Sequence, residues 1–177
     1  PLIRNAAKML GLENGIEIVS VSDIPSTGTG LGSSSAFSVA LLEGLSQFKK
    51  TRFSKNTLAD LACSLEIDHC GAPIGKQDQY ASAFGGFNVF RFNSDHSVDV
   101  KPLHIDKIKL DQLRQHILFF YTGITRSASD ILAKQSIAVE ISEKMDALSE
   151  MASLVSDFED ELLRENYKHL GELLHIN

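Results

Sequence analysis

Pro25-Ser26-Thr27-Gly28-Thr29-Gly30-Leu31-Gly32-Ser33-Ser34-Ser35-Ala36 places three glycines in five residues and follows them with three serines. Upstream, the apolar run Ile16–Val21 predicts a largely buried strand. Downstream, Ala36, Phe37, Ala40, Leu41 and Leu45 recur at helical spacing, which predicts a helix from about Ser33 to Gln47. Glycines between a strand and a helix let the backbone approach a ligand and aim successive N–H groups at one point, and the helix N-terminus adds positive partial charge. Phosphate is the natural occupant. The hydroxyls of Ser33, Ser34 and Ser35 can cap the helix, touch phosphate oxygens or complete a magnesium shell.

Other phosphate signatures fit less well. A Walker A loop needs Lys after its last glycine, where Ser33 stands, and a G-x-G-x-x-G fingerprint from Gly28 also meets Ser33. Gly32-Ser33-Ser34-Ser35-Ala36 approximates a nucleophile elbow, which makes a serine hydrolase using Ser34 a rival reading. An elbow needs a sharp turn directly after its strand, and the strand read here ends at Val21.

Further elements follow from pattern. Helices are predicted over Leu2–Leu10, Asn56–His69, Gln77–Phe84 and Asp106–Gln115, with strands at Phe87–Phe92, Val98–Leu103 and His116–Tyr121. Thr122–Arg126 reads as a loop. Helical spacing then dominates to the end, and the Met and Leu stripe over Ile141–Val155 reads as core packing. Strands and helices in this order suggest an α+β fold, with a seam near Leu103–Asp106.

The remaining arithmetic excludes several classes. The 177 residues are 43% hydrophobic with a net charge of -6, the profile of a soluble globular chain without the basic surface that nucleic acid requires. The basic run Lys49, Lys50, Arg52 and Lys55 reads as a solvated helix end and the loop after it. Cys63 and Cys70 are too few for a zinc site and suit reduced, partly buried thiols in a cytoplasmic protein. No stretch matches a signal peptide or a membrane span, and six histidines show no i, i+4 metal pair.

A second stretch, Glu66-Ile67-Asp68-His69-Cys70-Gly71-Ala72-Pro73-Ile74-Gly75-Lys76-Gln77-Asp78-Gln79-Tyr80, supplies acidic groups. Taken alone, Glu66 reads as a solvated face residue and Asp78 as a first-turn carboxylate favoured by the helix dipole. Beside a phosphate loop they fit phosphoryl transfer, which needs the nucleotide's Mg²⁺ held and an acidic group near the acceptor hydroxyl.

With the loop, this stretch resembles the galactokinase, homoserine kinase, mevalonate kinase and phosphomevalonate kinase (GHMP) superfamily, whose second signature is P-x-x-x-G-L-G-S-S-A. Pro73 to Gly86, and Tyr121-Thr122-Gly123 followed by Arg126, resemble its D-glycero-D-manno-heptose 7-phosphate kinase branch. Ser35 stands where the broad signature usually has Ala. The resemblance implies a GHMP-kinase-like α+β fold: a ribosomal S5 domain 2-like N-terminal part over 1–103 and the helix-rich start of a second domain over 104–177. It implies ATP and Mg²⁺ as cofactors, with Gly28, Gly30, Leu31, Gly32, Ser33, Ser34 and Ser35 along the ATP phosphates. Ser34 and Glu66 would lie on the metal, and Asp78 would be the catalytic base or the group orienting the acceptor. Gly75, Lys76, Gln77, Thr122, Gly123 and Arg126 would meet the substrate, with Ser127 and Asp130 as an alternative capping segment beside an exposed Arg126. The expected partner is a small sugar phosphate, phosphorylated at its anomeric hydroxyl, with neither nucleic acid nor membrane involved and the oligomeric state open. The family's first and third motifs are not visible, so a fragment is expected; an inactive nucleotide-binding remnant is the alternative.

Overall fold

The computed structural model describes residues 1–12, 14–21, 30–120 and 142–177, the side chains of 142–144 excepted. Among the described residues, contacts form two compact units, divided between Gly85 and Gly86. Helices and one two-stranded sheet make the architecture α+β.

In the first unit, α1 (Leu2–Met9), α2 (Ser33–Phe48), α3 (Lys55–Cys63) and α4 (Gln77–Phe84) pack together, and α3 continues into a π-helical turn, Ser64–His69. Ser54 caps α3 by accepting from the Thr57 N–H at 3.1 Å, one of the donors a helix start leaves unpaired. Leu42 and Leu65, both fully buried, join Leu45, Leu58, Ala62 and Ala6 in one core. Two members of the basic run act on carbonyls. Lys49 Nζ donates to Leu10 O at the end of α1, and Lys55 Nζ donates to Phe84 O at the end of α4, where helices leave carbonyls unpaired. Neither cysteine is bridged; Cys63 is buried and Cys70 half-buried.

Ile16–Val21 corrects the strand read there. Ile16 and Ile18 pack against the core while Val19 and Val21 are exposed, and the segment forms no strand ladder. Alternation reports which side a residue faces; a strand also needs a partner edge, and none pairs with it among the described residues.

In the second unit, β1 (Phe87–Phe92) pairs antiparallel with β2 (Val98–Leu103), Phe87 opposite Leu103 and Phe92 opposite Val98. The turn between them is held by Asp95 Oδ1, which accepts from the Ser97 N–H at 2.9 Å and its hydroxyl at 2.6 Å. α5 (Lys107–Gln115) is capped by Asp106, which accepts from the Lys109 N–H. α6 (Ser142–Leu163) and α7 (Tyr167–Ile176) pack together, and Leu162 and Leu170 join Leu113 in a small core.

Two further expectations are corrected here. His116 to Phe120 form no strand, and Ile117, Leu118, Phe119 and Phe120 are exposed; Tyr121 lies outside the described residues. The stripe read as core over Ile141–Val155 is exposed at Met145, Met151 and Val155, because α6 packs its core side near its other end, where Leu162 is buried and Phe158 half-buried. Ile141 itself is outside the described residues. Among the described residues no helix is long and apolar enough to cross a membrane.

Candidate active site

The site is built where the glycine loop enters α2. Gly30 and Gly32 have φ of 71° and 64°, left-handed conformations that strain a residue with a Cβ. At Gly32 there is a second constraint. A Cβ there would lie 3.3 Å from Asp78 Oδ2 and 3.4 Å from Asp78 Cγ. The carboxylate of Asp78 therefore rests directly on the end of the loop, brought there by the first turn of α4. Gly32 N-caps α2 with no side-chain cap, and the hydroxyls of Ser34 and Ser35 have another use.

That use is Glu66. Ser34 Oγ donates to Glu66 Oε1 at 2.6 Å and Ser35 Oγ to Oε2 at 2.7 Å, while Gln79 Nε2 also donates to Oε2. Glu66 is 2% exposed. The solvated-face reading of Glu66 is thus overturned: the π-helical turn, a form recurrent at functional sites, carries it inward onto the first turn of α2. A buried carboxylate is tolerated when hydrogen-bond donors surround it, and three side chains do so.

Of the other residues singled out, Leu31, Gly75 and Gln77 are exposed and Gly32, Ser33 and Lys76 half-buried, whereas Ser35 is buried at 3%. Gly28, Thr122, Gly123, Arg126, Ser127 and Asp130 lie outside the described residues. Gln79 is the residue the sequence reading passed over. It is fully buried, next to Asp78, and its Oε1 has no hydrogen-bond partner among the described residues. The available signal was a glutamine beside Tyr80 on the inward face of a short helix, where a polar group requires a partner.

The pair Ser34 Oγ and Glu66 Oε1 consists of hard oxygen donors brought together by a hydrogen bond of 2.6 Å. Among the described residues no group of three or more His, Cys, Asp or Glu forms a metal site. One carboxylate, one hydroxyl and a substrate's phosphates are the donor set by which Mg²⁺ is commonly held, so the residues present fit that ion.

Residues 1–86 match the family model of the GHMP kinases N terminal domain. More particular likenesses lie among sugar-phosphate kinases. The chain is 30% identical over 153 residues to a D-glycero-alpha-D-manno-heptose 7-phosphate kinase of Campylobacter jejuni, covering 86% of this chain and 45% of the relative. It is 32% identical, with a TM-score of 0.56, to a crystal structure of a D-glycero-D-manno-heptose 1-phosphate kinase from Bacteriodes thetaiotaomicron, covering 63% of this chain and 38% of that one. It is also 30% identical over 172 residues to a mevalonate kinase of Thermococcus sibiricus, covering 93% of this chain and 47% of the relative. The chain thus spans less than half the length of each.

Proposed function

We propose that this chain carries the ATP-binding and phosphoryl-transfer centre of a GHMP-type kinase acting on a sugar or sugar phosphate. The acceptor is taken to be the anomeric hydroxyl of a heptose 7-phosphate. The heptose kinase likenesses support that choice. Residues 1–103 and 104–177 would then be parts of an N-terminal and a C-terminal domain, working in the cytoplasm.

The observation that carries the proposal is the convergence of Asp78 and Glu66 on Gly32–Ser35. ATP phosphates lie along Gly28 to Ser34, met by backbone N–H groups at the start of α2. Ser34 and Glu66 hold Mg²⁺, which when bound neutralises charge on the phosphates. Asp78, exposed and resting on the loop, accepts the proton of the acceptor hydroxyl or orients it as the phosphoryl group arrives. Gly75, Lys76, Gln77, Thr122, Gly123 and Arg126 meet the sugar phosphate, Arg126 by paired hydrogen bonds to its phosphate. Ser34 has a carboxylate as its hydrogen-bond partner, where a hydrolase serine needs an imidazole, and this disfavours the elbow.

ADP release from ATP, measured over a panel of sugars and sugar phosphates, tests the proposal. A heptose 7-phosphate should give the highest rate. Release with no acceptor preference would overturn the substrate assignment, and Mg-ATP binding without transfer would favour the nucleotide-binding remnant.

A further inference from the structure

We propose that Gln79, with Ser35, is a positioning pair that fixes the Glu66 carboxylate so that Oε1 alone is presented to the metal side of the site. This rests on the kinase reading of Ser34 and Glu66 given above. Both donors act on the same oxygen, Oε2, and both are buried: Ser35 at 3% and Gln79 at 0% exposure. With Oε2 held twice, the carboxylate cannot rotate about its terminal bond without breaking two charge-assisted hydrogen bonds. Oε1 then faces Ser34 Oγ, its one hydrogen-bond partner among the described residues, at 2.6 Å.

Ser35 and Gln79 therefore act through Glu66. They are not expected to touch nucleotide, which gives Ser35 a different place from the phosphate contact the family resemblance implied. Gln79 also links the two acidic groups. It is joined by one peptide bond to Asp78, so the same helical turn that seats Asp78 on Gly32 anchors Glu66. Gln79 Oε1, without a hydrogen-bond partner among the described residues, points the same way: the amide is used here through its donor end although burying its acceptor end is costly.

The test is calorimetric binding of ATP to the full chain, once with Mg²⁺ and once with EDTA, alongside thermal unfolding of each variant. Gln79→Met keeps the volume and removes the donor; Ser35→Ala removes the other donor. Each should weaken Mg-ATP binding by about tenfold or more, the usual effect of removing a group that orients a metal ligand. Metal-free ATP binding should change by less than about twofold, since neither residue is assigned to the nucleotide itself. Equal weakening with and without metal, in either variant, would make the pair merely structural and overturn the proposal. Should Gln79→Met fail to fold, Ser35→Ala decides alone by the same comparison. Glu66→Gln separates the two levels: if it leaves the magnesium dependence intact, the metal assignment to Glu66 fails and the positioning role falls with it. If Glu66→Gln abolishes that dependence while both other variants behave as wild type, only the positioning role fails.

Discussion

At the scale of single residues, Gly32 is the point where backbone conformation and site geometry meet. Gly32→Ala places a Cβ in a left-handed conformation and against Asp78, so it should cost about 1–2 kcal/mol of stability from strain alone. Urea denaturation measures that loss, and an unchanged midpoint would contradict the strained geometry. The cysteines provide a second check. Burial pushes the Cys63 thiol from 9.0 up to about 12, so it stays protonated near neutral pH. Iodoacetamide mapped by mass spectrometry should label half-buried Cys70 and spare Cys63 until the chain unfolds. The turn at Gly30 and Gly32 and the place of Asp78 in the first turn of α4 were legible in the sequence, from glycine spacing and from the bend before that helix. Gln79 was not, because its role depends on which face of α4 turns inward, a matter of packing.

At the scale of elements, helices proved readable and isolated strands did not. α2 and α4 begin where periodicity and the bend at Pro73–Gly75 put them, since a helix satisfies its own hydrogen bonds and needs only an apolar face to bury. The β1–β2 hairpin was equally legible, its partners being neighbours in sequence with a polar turn between. Ile16–Val21 and His116–Phe120 have strand composition but lack a paired edge among the described residues, and composition cannot supply one. Glu66 depends on the π-helical turn, which no spacing rule marked. Leu65 in the same turn is fully buried, so Leu65→Ala should cost about 2–5 kcal/mol and loosen the carrier of Glu66. Ser54→Ala, which removes the cap of α3, should cost about 1 kcal/mol, both read by thermal or urea unfolding.

For the whole molecule, two buried acids lower the stability of the first unit at alkaline pH. The Cys63 thiol is raised by burial, and Tyr80 is raised by burial together with its hydrogen bond to Asp60 at 2.5 Å. Both favour the neutral form in the folded chain, so their contribution is fully present below about pH 9 and is lost as pH rises toward 12. Cys63→Ala should flatten part of that decline in stability measured between pH 8 and about 11. Within this framework, the site joins the two stretches that the sequence singled out, across α2, the π-helical turn and α4. On the proposed reading, Asp78 serves the acceptor while Ser34 and Glu66 serve the nucleotide. The most direct measurement compares acceptor-dependent ADP release and Mg-ATP binding in wild type and Asp78→Asn. Transfer should fall by about 10²–10⁴-fold, the usual share of a positioned acid or base, with Mg-ATP affinity kept. Equal turnover in the two proteins would contradict it.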